Sequence, residues 1–293
     1  MKKFALFLQA AAMLLCPVMA EAQTLQVAAD TSLKLVLQDL AGRFIEGRSV
    51  GVQINLAPSG ILRKQVLTDD SLDIFIGAAP GEIEELSKLN KIQADTVKTL
   101  AENEIVIVSS WPLRKDQNTD WVSLIKGEWE RVAVASSETC MSGVAALALL
   151  KAKKILDDVE DKLIYESDSD RVLDNLKRAQ VAAAIVYRSD IRRLQPRATY
   201  HVFEADETSL PPIVYCGAVL KQSKFSAEAV RFLEFLKSAE NSQTWADYGF
   251  SPVEGQDRID GAKSKDEENT GAAHSSSQEK NHLAPNTEKD DKK

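Results

Sequence analysis

The sequence predicts an α/β protein in which mixed, mostly parallel sheets carry helices on both faces. Short β-type runs alternate with amphipathic helical runs over most of the chain, the pattern of strands joined through crossover helices. Three of the β-type runs end in a polar or small turn that opens a helix: Asp30-Thr31-Ser32, Pro58-Ser59-Gly60 and Met141-Ser142-Gly143. Both ends of the chain lack the rhythm, which confines the fold to about residues 24–254 of 293. That length suits one large domain or two lobes.

The elements follow in order. Residues 25–29 read as a buried strand, and Leu33, Val36, Leu37, Leu40 and Phe44 then recur at helical spacing, with Lys34, Gln38 and Asp39 on the opposite face. Residues 50–56 form a second strand, 62–67 a helix, 72–76 an apolar strand and 83–89 a helix. Beyond these come a strand at 104–109, a short helix at 121–125, a strand at 131–135 and a helix of small and apolar residues at 143–152. An amphipathic helix at 170–178 precedes strands at 182–187, 200–205 and, after Pro211-Pro212, 213–220. Helices at 227–238 and 239–248 close the ordered part.

The ends carry different information. Lys2 and Lys3 precede an uncharged apolar run over 4–19, followed by Ala20 and Ala22. This is the pattern of a cleaved secretory signal, residues 1–22. The run is too short for a good membrane span, and Cys16, between Leu15 and Pro17, fits a lipid-anchor motif poorly. Residues 255–293 are dominated by Lys, Asp, Glu, Ser, Asn and Gly, too polar to offset the entropy of ordering, and read as a disordered charged tail.

Several function classes are disfavoured. The net charge is −8 with no basic stripe, which speaks against nucleic acid. His201 is the one histidine of the predicted fold, since His274 and His282 fall in the tail, so a His-rich zinc site is not expected. Ser59 sits in A-P-S-G rather than a nucleophile elbow, and Cys140 has no histidine near it in sequence. Neither a P-loop nor G-x-G-x-x-G is present. No enzyme and no cofactor are expected.

The three turns suggest instead a binding site. In an open parallel sheet such turns gather at the carboxyl ends of the strands, where ligands bind. Helix N-termini there present unpaired N–H groups and partial positive charge, and serine hydroxyls complete an anion site that needs no Lys or Arg. Each turn alone is equally an ordinary helix cap.

The residues VAADTSLKLVLQDLA, LAPSGILRKQ, SLDIFIGA, AAAIVYRSD and FLEFLKSAENSQTWADYGFSP, in that order, resemble segments of the molybdate-binding proteins that feed ABC importers. The likeness spans about residues 25–253. It implies a two-lobed periplasmic solute-binding fold with two crossing strands as hinge: lobe 1 at 24–103 plus 212–254, lobe 2 at 104–211. It implies a monomer that delivers a small oxyanion, molybdate or tungstate first, to the membrane subunits of an ABC importer, with molybdenum present only within the cargo. Carried over by position, the ligand-binding residues are Ser32 (Thr31 if the register shifts by one), Ser59, Ser142, Ser169 and Tyr187. The resemblance implies donors only, which would exclude hydrogen phosphate. It also brings Cys140 near the crossing strand that holds Cys216, so a disulfide between them is expected.

This sequence departs from the family's pattern in several places. Asp30 stands where small residues are usual, and would either cap the helix or accept a proton from a protonated ligand; facing the cleft, it would repel a bare dianion. Pro58 removes a donor N–H, SSETCMSG lacks the usual proline, and Glu138 adds an acid. Another small anion, an organic solute, or a sensor reporting its ligand to a membrane partner are the alternatives.

Overall fold

The computed structural model describes residues 23–110, 120–194, 200–206 and 210–253. The expected signal and tail lie outside these. The first half of the ordered chain builds β1 (Gln23–Asp30), β2 (Val50–Ala57), β3 (Ile74–Gly77) and β4 (Lys98–Asn103), with helices α1 (Lys34–Ile45), α2 (Ser59–Val66) and α3 (Pro80–Lys88) between them. The middle builds β5 (Ile105–Ser109), α4 (Trp121–Lys126), β6 (Val132–Ala135), α5 (Met141–Ala152), α6 (Leu156–Val159), β7 (Leu163–Glu166), α7 (Ser169–Lys177), β8 (Ala183–Tyr187) and β9 (His201–Glu204). The chain closes with β10 (Ile213–Val219), α8 (Ser226–Lys237), α9 (Ser242–Asp247) and β11 (Ser251–Pro252).

Two mixed sheets result. The first runs β11-β4-β10-β3-β1-β2 and the second β7-β6-β8-β5-β9. Parallel pairing is confined to β1 with β2 and β3, and to β6 with β7 and β8. These are the strands that open or receive helices. Pairs involving β4, β5, β9, β10 and β11 are antiparallel, because the strands that pass between the sheets enter from the far side. β4 ends at Asn103 and β5 begins at Ile105, so the outward crossing is made over Glu104. The return lies between β9 and β10.

Periodicity explains most elements. α1 buries Val36, Leu37, Leu40, Ala41 and Phe44 on one stripe, and Phe44 meets Phe232 and Phe235 of α8 with ring centroids 5.0 and 5.4 Å apart. β3 and β8 are buried throughout, as expected for central strands covered on both faces. The strands absent from the sequence reading are β4, β7 and β11. β4 places Lys98 and Glu102 among buried Thr99, Leu100, Ala101 and Asn103, and β7 is a half-exposed edge strand. Neither shows a clean alternation. Among the described residues no helix is long and apolar enough to cross a membrane.

The expected bridge between Cys140 and Cys216 is not formed. The two sulfurs belong to separate apolar clusters, one on each sheet. Cys140 Sγ lies 3.4 Å from the carbonyl of Ser167, and Cys216 Sγ lies 4.0 Å from Thr99 Oγ1. Each is a small buried side chain of its own core, and burial pushes the Cys140 thiol up to about 11.

Candidate functional site

The polar residues at the helix-opening turns converge where the two sheets face each other. On the first sheet, the chain leaves β1 at Asp30 and turns through Thr31–Leu33 into α1. Asp30 is buried, 5% exposed. Its Oδ1 accepts the Ser32 N–H at 3.1 Å and the Ser32 hydroxyl at 2.7 Å. Its Oδ2 accepts the Ser59 N–H at 3.1 Å and the Ser59 hydroxyl at 2.5 Å. One carboxylate therefore caps the Thr31–Leu33 turn that leads into α1 and ties it to the start of α2.

The remaining bonds fix the direction of those hydroxyls. Ser59 Oγ accepts the Ala78 N–H at 2.9 Å, and a serine has a single proton to give. Ser32 Oγ lies 2.7 Å from Tyr215 Oη; with its proton committed to Asp30, it accepts from the tyrosine. Asn103 Nδ2 in turn donates to Tyr215 Oη at 3.2 Å and to Ser189 Oγ at 2.9 Å. The donors run from Asn103 through Tyr215 and Ser32, and from Ala78 through Ser59, to one acceptor. Tyr215 is held in place by Phe250, and Phe250 by Trp245, each pair in edge contact at 5.4 Å.

The second sheet contributes the N-termini of α5 and α7. Ser142 and Ser169 are buried with their hydroxyl oxygens 3.3 Å apart, and Ser142 stands near the Tyr187 phenol at the end of β8, partly offsetting its rise. Burial pushes the Tyr187 and Tyr215 phenols well up, and the Asp30 charge adds to the rise in both. Asp168 caps α7 by accepting from the Arg171 N–H at 3.0 Å. Gly143 lets α5 approach its strand: a Cβ there would stand 2.3 Å from the Ala135 carbonyl oxygen, which only glycine avoids. Behind Tyr187, buried Asp190 accepts the Tyr187 N–H and pairs with Arg193 at 3.2 Å. Burial outweighs that cation and raises the Asp190 carboxyl to about 7.

The two halves touch. The Gly60 N–H at the start of α2 donates to the Thr139 carbonyl ahead of α5 at 3.3 Å. α7 lies against the Thr31–Leu33 turn. Gly249, at φ 84°, approaches the Ser189 Cα so closely that a Cβ would sit 3.0 Å from it.

Ser32, Ser59, Ser142, Ser169 and Tyr187 thus gather around one region, and the hydroxyl that reaches Asp30 and Tyr215 is that of Ser32 rather than Thr31. Glu138 is exposed. The sequence reading missed Tyr215, Asn103 and Ser189. Asn103 and Tyr215 lie at the crossings between sheets, a placement that singles out polar residues there as candidates. On the first sheet the Ser32 and Ser59 hydroxyl protons are given to Asp30, the helix-capping role that the sequence left open for this acid.

The family described as bacterial extracellular solute-binding protein matches residues 25–251. A Bacillus subtilis (strain 168) protein, YvgL, named for the substrate-binding lipoprotein of an ABC transporter, is 29% identical over 229 residues, covering 78% of this chain and 86% of its own. The molybdate-binding protein ModA of Haemophilus influenzae is 30% identical over 206 residues, 68% of this chain and 78% of its own. The solved periplasmic molybdate-binding protein of Azotobacter vinelandii superposes with a TM-score of 0.69 at 18% identity, covering 79% of this chain and all of its own; that likeness bears on the fold alone.

Proposed function

The chain belongs to the bacterial extracellular solute-binding protein family, as a substrate-binding component of an ABC transporter rather than an enzyme, and we propose that its two sheets close on a small tetrahedral oxyanion. The observation that carries this is the convergence of Ser142, Ser169 and Tyr187 with two helix N-termini opposite the Asp30-Ser32-Ser59 cluster. Helix N-termini and hydroxyls bind oxyanions without a full positive charge. The two passages of chain between the sheets, at Glu104 and between β9 and β10, act as the hinge, with 24–103 plus 212–254 moving against 104–211. The chain works as a monomer in the periplasm after losing residues 1–22, and hands its cargo to the transporter's membrane subunits.

Within the oxyanions, molybdate and tungstate come first, on the sequence resemblance and the named relatives. A thermal-shift panel of molybdate, tungstate, sulfate, phosphate and arsenate tests the reading. A ligand at a hundred times its Kd adds about 2.7 kcal/mol, and in a chain of this size raises Tm by about 5–10 °C. A panel without any shift rejects the oxyanion.

A further inference from the structure

We infer that Arg193 is a positioning residue for the oxyanion: it joins the two segments of the second sheet that carry Tyr187 and Ser169, and pairs with a carboxylate in each. This rests on the oxyanion reading and deepens it.

Arg193 closes the short turn Arg188–Arg193 that follows Tyr187. Its side chain is largely buried, and its two terminal nitrogens serve different acids. Nη1 donates to Asp190 Oδ1 at 3.2 Å, while the other oxygen of Asp190 accepts the Tyr187 N–H at 3.3 Å. Nη2 donates to Asp170 Oδ1, and Asp170 follows Ser169 in the first turn of α7. One guanidinium therefore spans from the end of β8 to the start of α7. It touches neither Tyr187 nor Ser169 through their side chains, and acts on both through the acids beside them.

An anion at these segments needs that cation for a Coulombic reason. The N-terminus of α7 attracts negative charge, and Asp170 stands in the same turn as a competitor for it. Asp190 adds a second acid, fully buried, where solvent ions screen it least. Both would repel an oxyanion if nothing answered them. A guanidinium meets two carboxylates at once because its donors form a rigid fork, whereas a lysine ammonium is a single point charge on a flexible stem. The fork also fixes where the Tyr187 segment stands relative to the start of α7, and so the spacing of the groups offered to the ligand.

Calorimetric titration of the full chain with the sodium salts of the five panel oxyanions, beside urea unfolding of the ligand-free protein, tests this. Arg193→Lys keeps the charge and loses the fork, and is expected to weaken binding of the tightest salt about tenfold, the low end for a displaced charged hydrogen bond. Arg193→Gln removes the charge as well and is expected to weaken it further. Adding Asp170→Asn to the glutamine variant is expected to recover at least about threefold, because one of the two unanswered charges is gone. A merely structural ion pair would lower the unfolding midpoint and leave the Kd of the folded protein unchanged, with nothing for Asp170→Asn to recover. Kd values within about threefold of wild type in both Arg193 variants, or a double variant no tighter than Arg193→Gln, overturn the assignment to Arg193 and leave the oxyanion reading standing. If Arg193→Gln does not fold, Arg193→Lys decides alone by the same limit. Silence of wild type toward all five salts overturns both.

Discussion

Asp30 and Asp190 are buried carboxylates on opposite halves of the cleft, and the two are satisfied in different ways. Asp190, fully buried on the second-sheet side, faces the Arg193 guanidinium and the Tyr187 N–H. Asp30, on the first-sheet side, is held by serine hydroxyls and amides. A buried acid with its own cation is a structural part of the wall. A buried acid held by neutral donors, as Asp30 is and as Asp73 is by the Gln26 N–H and the Ser223 hydroxyl, instead ties together the backbone and side chains that donate to it. The same strand–turn–helix device thus leaves serine hydroxyls at the starts of α5 and α7 and an internally bonded acid at the entries to α1 and α2.

Removing the cation from the second half should have the largest effect. Arg193→Ala leaves Asp190 without its guanidinium and is expected to cost about 3–5 kcal/mol above neutral pH. The loss should shrink in acid, where the carboxyl is protonated. The wild type carries the same sign: burial raises Asp190 to about 7, so the folded protein binds a proton that the unfolded chain has released. This contribution is full at pH below the ordinary carboxylate range and declines as pH rises to about 7. Urea midpoints across pH measure it, and a flat difference between wild type and Asp190→Asn would remove the contrast between the two acids.

A second test compares the glycines. Gly143→Ala would drive a Cβ to 2.3 Å from backbone oxygen, whereas at Gly60 the nearest atom, the Thr139 carbonyl oxygen, is at 3.3 Å on the opposite half. The first is expected to lose about 1–3 kcal/mol of stability. The second should leave the unfolding midpoint nearly unchanged and weaken ligand affinity, because it separates the halves. Equal losses of stability would mean that the Gly60 contact is part of one rigid core.

The smallest difference is expected between the serines. Ser59→Ala strands the Ala78 N–H and leaves Asp30 Oδ2 with the Ser59 N–H alone, at about 1–3 kcal/mol for a buried group left unsatisfied. Ser142→Ala removes a hydroxyl whose described partner is the Ser169 hydroxyl, and about 0.5–1.5 kcal/mol is expected. Chemical denaturation without ligand separates them. A reversed order would show the second-sheet hydroxyls to be the tighter network.

The core strands and helices were legible in the sequence because their burial is one-sided or complete: α1 shows its stripe, and β3 and β8 are unbroken apolar runs. The turns that carry Ser32, Ser59 and Ser142 were legible as well, since a hydroxyl ahead of an apolar helical pattern is a local signal. β4 and β7 were not. Their partners, β10 with β11 and β6, supply the hydrogen bonds that their mixed polarity does not advertise. The cysteines illustrate the same limit, because two thiols near one cleft in sequence logic fell into two different cores.

The sequence by itself determined the alternation of strand and helix, the polar turns that open helices, and the presence of an unusual acid among them, because each depends on residues a few positions apart. Only the tertiary structure decided what that acid does. Asp30 reaches Ser59, 29 positions along the chain, and the hydroxyl between it and Asn103 belongs to Tyr215, 183 positions beyond Ser32. The direction of a hydroxyl proton is set by every partner it has at once, and those partners become neighbours only when the crossings bring the sheets together.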